Sequence, residues 1–491
     1  MRLRYLYMAS KDLKRPNILF ILSDDQGAWA MGCAGNTDIN TPHLDRLASS
    51  GIRFTNFFCT SPVCSPARAS ILTGQIPSQH GVQDFIRQGN NSDLPHDSTD
   101  IEYLSGIDSY IDVLSRHGYD CGLSGKWHLG RSSKPQMNFS YWNVHATGAG
   151  NYYDAPMIVD GEFIREDRYI TDVITNNGIS FLEDNLENEN PFCLNVHYTA
   201  PHAPWDRENH PSESFNQYYE NCTFDSVPWE ETHDLQMKKD NSSAIVGHTE
   251  GTRRTALSGY FSAITEMDRN IGRIVDWLEN NDLRENTLIV FNADNGMNMG
   301  HHGIWGKGNG TYPPNMFDTA VKVPTIISRP GHIPEDLICD KLLSQYDFYP
   351  TILNYLGVEN NSTENLPGRN FANLLRGKTL SNKDIVHVFD EYGPTRMIRS
   401  RHWKYIHRYG EGDNELYDLV RDPDESVNMI DAPHLKKLTR DLFEEMDAWY
   451  KKYTLPEFDG TNQNVKGRGQ LSDLGSQHES FAQDVVYYKN L

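Results

Sequence analysis

Residues 17–27 read NILFILSDDQG, an unbroken apolar stretch from Ile18 to Leu22 that stops at the acidic pair Asp24-Asp25. Without alternation, such a run predicts a strand buried on both faces, as in a parallel sheet. The same pattern returns in PFCLNVHYTAPHAPW (191–205), NTLIVFNADNG (286–296) and VKVPTIISRPG (321–331). Between these runs the spacing is helical. TPHLDRLASSGIRF (41–54) predicts a helix stopped at Gly51 with a strand after it, and SPARASILTG (65–74) predicts a helix starting near Pro66. SYIDVLSRHGYDCGLSGKWHLG (109–130) repeats helix, glycine, strand and polar turn, and residues 167–185 and 255–281 predict two further helices, the second long and amphipathic.

Strands alternating with helices over about the first 370 residues predict an α/β fold. Its centre is a large mixed, mostly parallel sheet flanked by helices. The pattern changes after Gly377. Residues 385–393, 395–409 and 414–420 predict short strands joined by tight turns, and 434–453 a closing helix: a small antiparallel sheet with one helix on it. The expected organisation is a catalytic α/β domain over 1–377, the small subdomain over 378–452, and a tail over 453–491 that either lies across the surface or is disordered.

Charge narrows the partners. Lys plus Arg number 45 and Asp plus Glu 67, a net charge of −22. A surface that acidic argues against nucleic acid or an anionic membrane as partner, but not against an anionic substrate in a local basic pocket. The seven cysteines are widely spaced, with no CxxC pair, and predict reduced thiols. The basic start, MRLRYLYMASKDLKRP, has too short an apolar run for a signal peptide, so a cytoplasmic location is expected, with Met8 an alternative start. The sequons at Asn221 and Asn361 are then chance matches.

Two buried strands end in oxygen ligands, Asp24-Asp25 and Asp294-Asn295, a set that suits Ca²⁺ or Mg²⁺; loop capping is the plainer alternative. Basic groups gather at other predicted strand ends. Lys126 and His128 stand two apart in GKWHLG, where an extended chain would turn them the same way. His202 follows a strand in PHAPW, and His301, His302 and Lys307 lie in GHHGIWGKGNG. Cations beside a divalent metal are what a tetrahedral anionic ester requires. Cys64, one helical turn before Arg68, does not fit this set as a thiol, because a thiolate is a soft ligand.

Cys64-Ser-Pro-Ala-Arg68 followed by ASILTG resembles the signature of the type I sulfatases of the alkaline phosphatase superfamily. The resemblance extends through DDQG, GKWHLG, PHAPW and DNG to the C-terminal sheet. It implies that Cys64 is oxidised by a formylglycine-generating enzyme to Cα-formylglycine, whose hydrate carries two hydroxyls on one carbon. It implies that Asp24, Asp25, Asp294, Asn295 and modified Cys64 hold Ca²⁺, with Mg²⁺ as the second candidate. Arg68 would contact the formylglycine hydroxyl, and Lys126 would sit between nucleophile and sulfate. His128 would take the proton that accompanies sulfate release, while His202 and Lys307 would bind sulfate and protonate the leaving oxygen. Two positions depart from the pattern: relatives commonly read GEHG where this chain has Gly-His301-His302-Gly, and Arg where it has Gln75.

The implied activity is hydrolysis of sulfate monoesters, with sulfated carbohydrates such as glycosaminoglycan fragments, cleaved at a chain end, as the expected substrate. A phosphonate monoester or phosphodiester hydrolase, or a silent binding homologue, are the alternatives. Trp127, Trp205, Trp305 and Tyr312 are candidates for stacking on a sugar, and His301, His302, Glu391, Arg396 and Arg399 for binding its polar groups. Oligomeric state is not legible in this sequence.

Overall fold

The computed structural model describes residues 15–94, 97, 99–237, 246–359, 365–379, 388–474 and 479–483. Met8 and the sequon at Asn361 lie outside them. The main sheet has ten strands. In chain order they are β1 (Asn17–Ser23), β2 (Gly51–Phe54), β3 (Asp120–Lys126), β4 (Tyr141–His145), β5 (Ala155–Val159), β6 (Glu162–Glu166), β7 (Phe192–His197), β8 (Thr287–Ala293), β9 (Thr325–Ser328) and β10 (Leu337–Cys339). Their spatial order is β10-β2-β9-β8-β1-β7-β3-β4-β5-β6. From β8 to β4 every neighbouring pair is parallel, while β9 against β8 and β2, and the β4-β5-β6 edge, run antiparallel.

β1 sits in the middle with all seven residues buried, paired with β8 on one side and β7 on the other. Successive side chains of a strand point to opposite faces. Accordingly Ile18, Phe20 and Leu22 enter one core and Leu19 and Ile21 the other. Helices Cys64–Thr73, Tyr110–Arg116 and Phe348–Leu356 cover the first face; Pro42–Ser49, Ile170–Asp184 and the long Glu250–Asn280 cover the second. Two-sided burial is why these strands read as continuous apolar runs. No helix among the described residues is long and apolar enough to cross a membrane.

The small sheet has four antiparallel strands, β11 (Val388–Tyr392), β12 (Thr395–Arg399), β13 (Trp403–Arg408) and β14 (Glu415–Asp418). Helix Lys436–Tyr453 packs Leu442, Met446 and Tyr450 against Ile398, Tyr405 and Leu416. Beyond it, the chain does not simply lie on the surface: Val465, Gln470, Phe481 and Ala482 are buried.

Candidate active site

Parallel strands present their C-terminal ends at one edge of the sheet, which is where open α/β sheets build sites. The turns after β1, β8, β3 and β7 therefore bring Asp24-Asp25, Asp294-Asn295, Lys126-His128 and His202 together from distant parts of the chain. The helix carrying Cys64 completes the group. It begins at Cys64, two residues before the predicted start at Pro66. Proline is tolerated there because the first four helical N–H groups have no partner within the helix.

Four side chains, Asp24, Asp25, Cys64 and Asp294, each place one ligand atom within 4.8 Å of the others, and all four are buried. Cys64 Sγ lies 3.4 Å from Asp24 Oδ1 and 2.7 Å from Lys307 Nζ. Each carboxylate has its own cation. Lys126 Nζ reaches Asp24 at 2.5 Å, Lys307 Nζ reaches Asp25 at 2.5 Å, and Arg68 Nε reaches Asp294 at 2.9 Å. Arg68 also donates to the carbonyl of Lys126 at 3.1 Å, tying the helix that carries Cys64 to the end of β3. His202 Nε2 stands 3.6 Å from Asp25 Oδ2.

The charges in this cradle are strained. Burial, then repulsion from Asp294, pushes the Asp24 carboxyl up to about 7 despite Lys126. Burial acts the same way on Asp25, but Lys307 and His202 outweigh it and hold that carboxyl below its ordinary range. Burial, reinforced by Asp24, drives the Cys64 thiol far above its usual value, so as a plain cysteine it is no reactive thiolate. Burial lowers His202 to about 4 against the pull of Asp25. Burial, then Lys126, keeps His128 neutral.

The donor set fits a hard divalent cation. Three carboxylates converge, and Asn295 Oδ1 is buried with no hydrogen-bond partner among the described residues. An unpartnered buried amide oxygen beside crowded carboxylates is a donor set that suits an oxygen-ligated cation. With three carboxylates already matched by three cations, a divalent ion makes the cradle net positive, which suits an anionic ester.

Above the cradle opens a cavity of about 420 Å³, with Asp25, Cys64, His128, His202 and Lys307 on its wall. Trp205 and Trp305 border it too. The other predicted contacts lie elsewhere. Trp127 is buried against Trp142, and Tyr312 lies under Lys466. His301 packs on Trp29 and His302 stacks on Phe317 at 3.8 Å, both outside the cavity wall. Glu391, Arg396 and Arg399 are structural: Arg396 pairs with Glu391 at 2.8 Å and Asp459 at 2.9 Å, and Arg399 with Asp318 at 3.1 Å. Buried charges need partners, and these found them inside the protein.

The sequence reading of Lys126 and His128 also needs correction. β3 ends at Lys126, and His128 has a left-handed backbone (φ 54°), so the two are not related by extended-chain alternation. His128 Nε2 instead meets the carbonyl of Ile86 at 2.8 Å, and its ring fills the space that a side chain on Gly148 would occupy. Ile86 and Ser65, which accepts from Ile86 N at 3.0 Å, were missed by sequence reasoning; a backbone carbonyl has no sequence signal at all.

Comparison with known proteins agrees with this geometry. Residues 16–358 match the family described as Sulfatase, and residues 300–452 the family described as N-sulphoglucosamine sulphohydrolase, C-terminal. An N-acetylglucosamine-6-O-sulfatase of Bacteroides thetaiotaomicron is 29% identical over 90% of this chain and 88% of its own length. A solved protein in complex with its substrate D-glucosamine-2-N,6-O-disulfate superposes with a TM-score of 0.72 at 25% identity, covering 92% of this chain and all of that one. The phosphonate monoester hydrolase of Agrobacterium radiobacter shares the fold, with a TM-score of 0.69 at 22% identity over 90% of this chain and 97% of that one. The cradle at the ends of the parallel strands is thus found in a chain matched to one family over most of its length, and the protein belongs to the sulfatases, the sulfuric ester hydrolases of the alkaline phosphatase superfamily.

Proposed function

We propose that this sulfatase removes sulfate from sulfated carbohydrates, acting at the end of short, glycosaminoglycan-like chains, with the oxidised form of Cys64 at its centre. The observation that carries the reading is the position of Cys64: at the start of a buried helix, on the cavity wall, beside three carboxylates and 2.7 Å from Lys307. The names of the similar proteins support the sugar, and so do Trp205 and Trp305 on the cavity wall. A cavity of about 420 Å³ has room for a terminal sulfated sugar and is of ordinary small-ligand size.

Asp24, Asp25, Asp294 and Asn295 would hold a Ca²⁺ or Mg²⁺ ion, which supplies polarisation of a sulfate oxygen. Cys64, once converted to formylglycine by a formylglycine-generating enzyme, would supply as its hydrate two hydroxyls on one carbon, one as nucleophile towards sulfur and one able to give up its proton. The remaining work falls to ordinary side chains. Lys126 and Arg68 pair with Asp24 and Asp294 and hold them in place. Lys307, already within reach of residue 64, stands where it would bind a sulfate oxygen. His202 shares Nδ1 with the Ala203 carbonyl at 2.7 Å, so Nε2 carries a proton for the leaving oxygen only as the imidazolium. An anionic ester next to Asp25 favours that cation. His128 shares Nε2 with the Ile86 carbonyl, which leaves Nδ1 as a proton acceptor.

The test is release of inorganic sulfate from a panel of mono- and oligosaccharides sulfated at single positions, with p-nitrophenyl sulfate and phenyl phosphonate esters alongside. Turnover of short sulfated sugars that stops on chelation and returns with Ca²⁺ or Mg²⁺ is expected. Higher kcat/KM on phosphonate esters than on any sulfate ester would refute the reading, as would activity confined to long polymers.

A further inference from the structure

The segment after the closing helix has no periodicity in sequence, yet Gln470 is fully buried and bonded through backbone and side chain alike. Its N–H donates to Phe85 O at 2.8 Å and its carbonyl accepts from Arg87 N at 2.9 Å. Its side-chain Oε1 accepts from Gln83 N at 2.9 Å, and Nε2 donates to Gly81 O at 3.1 Å. Gly469 N adds a bond to Asp84 at 3.0 Å. Residues 81–87 are therefore clamped from behind by the tail, chiefly through Gln470.

The backbone around Ile86 is extended, pairing with Gln470 as a parallel bridge. In such a backbone, neighbouring residues turn their N–H and C=O groups to opposite sides. Phe85 and Arg87 face the tail; Ile86 faces the active site. Its N–H reaches Ser65 Oγ at 3.0 Å and its carbonyl meets His128 Nε2 at 2.8 Å. Ser65 Oγ in turn donates to the His128 carbonyl at 2.8 Å. A carbonyl only accepts, so the ring proton must sit on Nε2. His128 Nδ1 is buried and unpartnered among the described residues. Gly81 (φ 77°) and Gly89 (φ 85°) bracket the clamped segment, and their left-handed backbones set the turns at its two ends.

We propose that Gln470 is a positioning residue: by clamping residues 81–87 it holds the Ile86 carbonyl against His128 Nε2 and so fixes the tautomer that leaves Nδ1 as the base. The effect on turnover rests on the proposed function; the tautomer does not.

The test uses the full chain labelled with ¹⁵N-histidine, the His128 signals being assigned by their loss in His128→Asn. In the native protein Nε2 is expected to be protonated and Nδ1 not. In Gln470→Met, of similar length but without polar atoms, and in Gln470→Glu, the two nitrogen shifts are expected to move towards each other as the tautomers mix. On p-nitrophenyl sulfate, kcat is expected to fall by about tenfold or more with KM changed by less than about threefold. In a His128→Ala background the same substitution is expected to cost less than about twofold. Unchanged His128 shifts in a folded variant, or an equal loss in both backgrounds, would overturn the proposal. So would loss of the fold in both variants, which would make Gln470 a stability residue alone. Shifts that respond in a protein without sulfatase turnover would support the clamp and defeat the proposed function instead.

Discussion

Arg396→Met separates a structural arginine from a substrate-binding one. Glu391 is fully buried, and its Oε1 takes two bonds from Arg396, Nε at 3.0 Å and a terminal nitrogen at 2.8 Å. The guanidinium also meets Asp459 at 2.9 Å and lies 4.1 Å from the ring centre of Tyr450. Removing one partner of a buried pair costs about 3–5 kcal/mol, since the other charge stays behind. Glu391 keeps the Ser78 N–H at 3.0 Å and hydroxyl at 2.5 Å, which places the loss near the low end, about 3 kcal/mol. An unfolding entropy of about 2.1 cal/mol/K per residue over 491 residues is about 1 kcal/mol/K, so the midpoint should fall by about 3 °C. Calorimetry and a urea titration read the loss; steady-state kinetics on a cleaved sugar sulfate should show KM unchanged. Adding Glu391→Gln should recover part of the stability, because the stranded charge is gone. An unchanged midpoint with KM raised about tenfold would refute the reasoning and return Arg396 to the substrate pocket.

His202→Ala should slow sulfate esters of sugars, which have poor leaving groups, by about 10²–10⁴, and activated aryl sulfates far less; equal losses in kcat on both would remove His202 as the acid. Asp84 gives a pH signature away from the acidic cradle. Burial pushes it up to about 6 against bonds from Gly469 N, Phe85 N and the Tyr392 hydroxyl. The folded state then keeps a proton on Asp84 that the unfolded state loses between about pH 4 and 6, so the contribution of Asp84 to stability falls as pH rises through that window. The urea midpoint of Asp84→Asn, taken relative to that of the native protein, should therefore rise from the lower end of the window to the upper; a constant difference would show that Asp84 does not titrate there.

Much of the fold is legible because burial leaves a mark on sequence. β1, β7 and β8 are covered on both faces and read as apolar runs, and each ends where the chain emerges with Asp, Asn or His. The gathering of Asp24, Asp294, Lys126 and His202 was legible for the same reason: each sits at the end of, or shortly after, a strand that had to be a strand. The β4-β5-β6 edge was not, since YWNVH and EFIRE mix apolar and polar positions in short stretches. Nor were the destinations of polar side chains with several possible partners. Glu391 and Arg396 could be paired only once β11 and β12 were seen to align them across the sheet. The contribution of Gln470 was hidden most deeply, because half its bonds are made by backbone atoms that every residue possesses.

The account turns on the chemical state of residue 64. The most direct measurement is mass spectrometry of the peptide containing Cys64, from active protein produced with a formylglycine-generating enzyme. The account predicts an aldehyde in place of the thiol, in proportion to the specific activity of each preparation. A fully active protein carrying an intact thiol would contradict it.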